Sequence, residues 1–506
     1  MKSPLVRNGM ALLAILGSFT LGIPESLSRE PIEQHAARAF EEAQALNAAG
    51  DQAGVFRALE AVAQRKDFAS LPRAQQADVL FLCAYAKSEL QDYPVALQYA
   101  RRATQAVPGD ADYWFLRLTL EQRTADVPAM VSALEDMARA VPDQFSDLSI
   151  DWVFIARNHF KDLAQKGQDR PAYLRFLRLF TGPAFAPTVP EPAIDRMRLD
   201  LANELAKDGA QEEARALVSQ LQLSGTLLSA SFDPRLDQFV SPDFDLRAAK
   251  ERDLVALRQV SDARPDRLAS ALDIVLVQLD LGDVEGAQAT LESVRPEGVL
   301  ANHFSDLERQ HIWWWDTLAQ SYAMQNRYDD AVAAFRKAIA LGELGEGNVS
   351  QKLNLAALQV RYGRAQDALE TLDTLSPDEG SEYGALVYHL VHGCAVHQLG
   401  EPASLAEDLA FMSAHEADHP GFLTNLLLCS GDRDGAAQVM IRRLRNADQR
   451  GDALEALMIY DPPIGGEPRN PIQQGLAALG ARADAQEAAG GPEAIRRVHL
   501  QSSPLI

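Results

Sequence analysis

Apolar residues recur through most of the chain at the three- and four-residue steps of a helix that buries one face. Trp315, Leu318 and Tyr322 fall on one such stripe. After a break at Asn326-Arg327, Ala331, Phe335 and Ala338 form a second. The two stripes predict two helices joined by a tight turn, and the small side chains of Ala319 and Ala331 let their backbones approach closely. No stretch is read as the period-two alternation of a half-buried strand, so the expected class is all-α.

The same pair of stripes returns at intervals. Leu80, Ala84, Tyr93, Ala96, Ala100, Ala103 and Pro108 carry it in the first half, followed by Trp114, Val127, Met130, Leu134, Met137 and Pro142. Tyr93 recurs as Val127 and Pro108 as Pro142, a step of about 34 residues. Both prolines fall where a second helix should stop, because proline cannot continue it. Weaker copies lie at 39–62 and 201–221, and others at 274–294, 355–375, 392–409 and 427–440. One pair cannot bury its apolar face alone, so neighbouring pairs must stack.

Trp315-Asp316-Thr317-Leu318-Ala319-Gln320-Ser321-Tyr322, followed by Asn326 to Ala331, Phe335 and Ala338, resembles one unit of the tetratricopeptide repeat (TPR). The resemblance implies an α-solenoid of antiparallel helix pairs wound as a right-handed superhelix. A break at Phe232-Asp-Pro-Arg235 is similar to one in bacterial TPR proteins without assigned function. The expected organisation is a signal peptide at 1–28, a solenoid at 29–223, an irregular join at 224–245, a second solenoid at 246–460, and a loop with capping helices at 461–506. One continuous superhelix is the alternative. Prolines at 181–190 also interrupt the array.

Of 506 residues, 47% are hydrophobic and 24% charged, the balance of a folded chain rather than a disordered one. The net charge of -23, with no basic stripe, excludes nucleic acid as the default partner. Lys2 and Arg7 precede an apolar core at 10–23, shorter than the roughly 20 residues that span a bilayer. Pro24 and Ser26-Leu27-Ser28 then complete the pattern of a cleavable secretory signal. The expected location is the bacterial periplasm or the exterior, with no stable membrane span after cleavage. An uncleaved anchor is the alternative. Cys83, Cys394 and Cys429 are too few for a disulfide scaffold, and their apolar contexts suit small buried hydrophobes.

Two histidine groups could carry chemistry. His415-Glu416-Ala417-Asp418-His419 has the H-E-x-x-H spacing that places two zinc ligands one helical turn apart. Pro420 follows directly, and Asp418 stands where zinc hydrolases place an apolar residue, so a turn between helices is expected instead. His389, His392 and His397 could form a row on one helix face or serve packing. There is no glycine-rich phosphate loop, serine elbow or paired-cysteine motif, and no cofactor or metal is expected.

The resemblance also implies that ligands lie in a concave groove lined by the first helix of each pair. Matching positions are Trp313, Asp316, Thr317, Gln320 and Met324 in one unit, then Asn354, Ala357 and Arg361 in the next. In the first half they are Asp78, Phe81, Tyr85, Asp112, Phe115 and Arg123. Mixed aromatic and polar residues suit an extended peptide or a partner helix. The expected function is therefore a non-catalytic scaffold or adaptor that binds protein or peptide partners, with a zinc-dependent hydrolase at His415, Glu416 and His419 as the alternative.

Overall fold

The computed structural model describes residues 30–124, 126–187, 194–298, 303–342, 347–376, 381–417, 419–466 and 471–503. The expected signal at 1–28 lies outside them. The described residues hold 26 α-helices, and their only strand-like pairing is an isolated parallel bridge between Ile459 and Arg497. Successive helices pack as antiparallel pairs, as in Arg73–Glu89 with Tyr93–Ala106 and Leu307–Met324 with Tyr328–Leu341. First helices also pack on the next first helix, as Val349–Arg361 does on Glu382–Leu399. The fold is an all-α array of stacked helix pairs.

The pair around Trp315 packs as its spacing predicts. Ala319, Ala331, Phe335 and Ala338 have no exposed surface, and Trp315 and Leu318 are nearly buried. Burying Phe335 alone contributes about 1.5–3 kcal/mol. The three consecutive tryptophans point to different surroundings. Trp314 is buried and its indole N–H donates to the Leu291 carbonyl at 3.0 Å, tying this pair to the preceding one. Trp313 is half-buried against the same core.

A recurring turn joins the helices of a pair. Its central residue adopts a left-handed conformation, and the next residue's N–H reaches back to close the first helix. This happens at Gly50 (Asp51 N–H to Leu46 O, 2.9 Å) and at Gly431 (Asp432 N–H to Leu427 O, 2.9 Å). Gln91 (φ 60°) and Asn326 (φ 59°) occupy that position without being glycine. An aspartate then often caps the second helix through its side chain. Asp51 accepts from the Gly54 N–H at 2.8 Å, while Asp283 and Asp432 accept from Gly286 and Gly435 at 2.9 Å. With the carboxylates placed as they are, a Cβ on any of these three glycines would strike the capping aspartate.

The chain divides into two compact units, Met1–Thr188 and Val189–Ile506. The division falls in the proline-interrupted stretch, upstream of the 224–245 segment where the join was expected. That segment packs inside the second unit. Ser224–Phe232 is a helix whose first N–H donates to the buried Asp253 carboxylate at 3.1 Å, as does the Ser224 hydroxyl. Asp195 likewise accepts from the Leu223 N–H at 2.8 Å. Turn residues that read as a linker are thus held by carboxylates distant in sequence. Helices Pro471–Gly480 and Ala483–Ala489 lie against Pro420–Cys429 and Arg433–Arg445.

Cys83 is a buried free thiol, as its apolar context suggests. Cys394 and Cys429 instead form a disulfide, with Cα atoms 5.6 Å apart. Their local contexts are those of plain hydrophobes, and nothing local reveals that two neighbouring first helices bring them together.

The turn geometry makes opposite predictions for two residues. Nothing lies within 4 Å of a Cβ built on Gly431, so Gly431→Ala should cost about 1 kcal/mol through its left-handed backbone alone. Gln91→Gly should gain a comparable amount. Urea unfolding midpoints that move down for the first and up for the second are the expected result.

Candidate functional site

In the second unit, half of the expected groove positions are buried by stacking. Asp316 has no exposed surface, and its carboxylate accepts from Gln320 Nε2 and from Asn354 Nδ2, each at 2.9 Å. Burial pushes its pKa up, only partly offset by those two bonds. Because Asn354 lies on the next first helix, the contact is a polar tie between stacked pairs. Thr317, Met324 and Ala357 are also buried. These four side chains do not line an open groove, because they are buried within the stack. Trp313, Gln320 and Asn354 are half-buried. Arg361 is half-buried too, and its guanidinium donates to the Ser503 carbonyl at 3.4 Å.

The first unit leaves more surface open. Phe81 is buried against Tyr113, with ring centroids 5.2 Å apart, and the Tyr113 hydroxyl donates to Asp78 at 2.6 Å. Tyr85 and Phe115 are half-buried, while Asp112 and Arg123 are exposed. The Arg123 guanidinium sits 5.8 Å from the Tyr93 ring centre, a cation–π arrangement that holds it over the first-helix ends.

The H-E-x-x-H residues do not share a helix. His415 caps the end of Pro402–Ala414, and His419 precedes the first residue of Pro420–Cys429. Glu416 pairs with Arg442 at 2.5 Å, and His415 Nδ1 lies 2.9 Å from the Phe411 carbonyl. Asp418 lies outside the described residues. The one-turn spacing needed for a shared zinc is therefore absent, and no group of three side chains placed to hold a metal occurs among the described residues.

The other histidines divide. His389 and His392 converge on one buried carboxylate, Asp408, with Nδ1 to oxygen distances of 2.7 and 2.8 Å. Gly393 makes room, since a Cβ there would lie 3.2 Å from Asp408 and closer still to Leu426. His389 stacks on Phe411 at 3.8 Å, and Phe411 stacks on His415 at 4.1 Å. His397 is exposed and takes no part. Sequence spacing brought the two histidines to one face, but Asp408, on the partner helix, gave no sign of joining them.

An extended segment after the last helix, absent from the sequence expectation, completes the second unit. Arg496, Val498 and Leu500 alternate with the exposed Arg497 and His499, a period-two pattern too short to stand out beside the helical stripes. The Ile459 N–H donates to Arg496 O at 3.0 Å, Val498 N–H to Ile459 O at 2.9 Å, and Asp461 N–H to Leu500 O at 3.0 Å. Further along, Gln501 N–H donates to Asp280 O at 2.8 Å.

No family model and no curated protein matches the chain. Among solved structures it is similar to the APC/C hetero-tetramer Cut9–Hcn1, at 13% identity and TM-score 0.28, covering 91% of this chain and 90% of that one. Yeast Tom70 matches at 11% identity and TM-score 0.29, covering 84% and 95%. The TPR domain of P58(IPK) matches at 12% identity and TM-score 0.21, covering 88% and 97%. Likeness at this level assigns neither activity nor partner.

The Asp408 cluster makes a pH prediction. The hydrogen bond to Asp408 raises the His392 pKa, against the opposing effect of burial. Burial pushes Asp408 up, but the bonds from His389 and His392 outweigh it and hold its carboxyl below the ordinary range. The His392 contribution is complete below its unfolded value of about 6.5 and is lost as pH rises through the higher folded value. The Asp408 contribution is present above about pH 3.9 and is lost as pH falls through its depressed folded value. Wild-type stability should therefore decline as pH rises above about 6.5 relative to Asp408→Asn, as read by denaturant midpoints. Parallel profiles for the two proteins would refute the coupling.

Proposed function

We propose that this chain is a non-catalytic scaffold or adaptor that binds protein or peptide partners on the first-helix face of its stacked pairs. The observation that carries this reading is the open face of the first unit, where half-buried Tyr85 and Phe115 accompany exposed Asp112 and Arg123. Such surfaces suit recognition: aromatic rings supply contact area at little entropic cost, and the flanking charges orient an extended segment or a helix. The net charge of -23 favours partners with basic character. Of the groove positions in the second unit, Trp313, Gln320, Asn354 and Arg361 keep partial exposure.

We also place the protein in the periplasm or outside the cell. The apolar segment at 10–23 behind Lys2 and Arg7 supports export, and the Cys394–Cys429 disulfide suits an oxidising compartment. No helix among the described residues is long and apolar enough to cross a membrane.

Two measurements test these readings. Tyr85→Ala combined with Phe115→Ala should reduce partner recovery from pull-downs at least about tenfold, the loss expected when central aromatic anchors are truncated. Undiminished recovery by a folded double variant removes the first-unit face from the binding site. N-terminal sequencing of the mature protein should begin near Arg29, and an intact Met1 would contradict cleavage.

A further inference from the structure

The extended segment at 496–503 is seated like a ligand. Its main chain supplies most of the contacts: the three bonds with Ile459 and Asp461, the bond to Asp280 O, and a 2.7 Å bond from Arg247 to the His499 carbonyl. Its specificity lies in three inward side chains. Val498 and Leu500 are 7% and 3% exposed, within the core of the second unit. Arg496 enters a slot where it donates to the Ser231 hydroxyl at 2.7 Å and the Ser231 carbonyl at 3.2 Å, with its guanidinium 4.4 Å from the Phe232 ring centre.

The linkage upstream is a glycine turn whose N–H groups close the preceding helix, Gly490 on Glu487 O at 3.1 Å and Gly491 on Gln486 O at 2.9 Å. Helix Ala483–Ala489 ends at two consecutive glycines, Gly490 (φ 95°) and Gly491 (φ 134°), both in conformations that other residues rarely adopt. Such a pair can absorb a large change in chain direction.

We propose that this seat is a docking site for an extended segment of the pattern Arg-x-aliphatic-x-aliphatic. Residues 496–500 are its resident occupant and give way to the same pattern in a partner protein. Main-chain pairing to Ile459 and Asp461 accepts any sequence, as in strand addition, and the arginine slot and the two apolar slots select among sequences. A basic anchor also complements an acidic chain. This inference rests on the peptide-binding reading above and names the ligand class for the second unit.

The test uses the full chain. Val498→Asp with Leu500→Asp buries charge in apolar slots and should unseat the segment. A labelled peptide with the sequence of residues 494–503 should then bind this variant saturably and bind the wild type at least about tenfold more weakly, a ratio of about 1.4 kcal/mol. Alanine at the peptide position equivalent to Arg496 should weaken binding by a similar factor. A folded variant that ignores the peptide, or that accepts the alanine peptide equally well, overturns the proposal. If the variant fails to fold, hydrogen exchange of the wild type decides. Val498 and Gln501 amides opening far faster than that of Leu318 support exchange of the segment, and equal protection shows a permanent part of the core. Failure here with a positive result at Tyr85 and Phe115 would leave the general binding function standing, and failure at both sites would remove it.

Discussion

Each helix pair in this chain has apolar surface on both flanks, and stacking is the constraint on which the remaining features depend. Alanines without exposed surface, such as Ala84, Ala96, Ala319 and Ala331, bring the two backbones of a pair close together. Larger residues such as Trp314 and Phe335 then fill the space within and between pairs. Burial here comes from many modest contacts between sequence neighbours rather than from one central core. The same demand reaches polar positions: Asp316 is buried within the stack, and it is tolerated because Gln320 and Asn354 satisfy its oxygens.

Stacking works only if every pair turns in a similar way, and local chemistry sets that turn. A left-handed residue closes the first helix, and at several turns an aspartate opens the second two residues or fewer beyond it. Gly431 and Asp432, with Gly435 three residues later, show the full device in one place. Where glycine is replaced by Gln91 or Asn326, the backbone conformation is retained, so the packing of the two helices overrides the residue's own preference.

The candidate sites arise where stacking leaves something over. In the first unit, Tyr85, Phe115 and Arg123 remain at the surface because no neighbouring side chain fully covers them. In the second, the extended segment covers the ends of first helices at Asp280 and Arg361. At the disulfide-linked helices, an uncommon arrangement of one carboxylate between two histidines replaces apolar packing. The H-E-x-x-H string, the strongest enzymatic spelling in the chain, sits across a turn because Pro420 begins the next helix.

Helix periodicity, proline stops and the approximate repeat step were enough for the sequence by itself to determine the all-α class, the pairing of helices and the burial of Trp315, Leu318, Ala331 and Phe335. These depend on neighbours in the chain, whose geometry is local. The tertiary structure alone decided which first-helix positions stay open, that Cys394 meets Cys429, that Asp408 gathers two histidines, and that residues 496–500 run extended beside Ile459. Each of those outcomes joins residues far apart in sequence or on different helices. A periodic pattern shows which face of a helix is apolar, but it does not specify which surface comes to rest on that face.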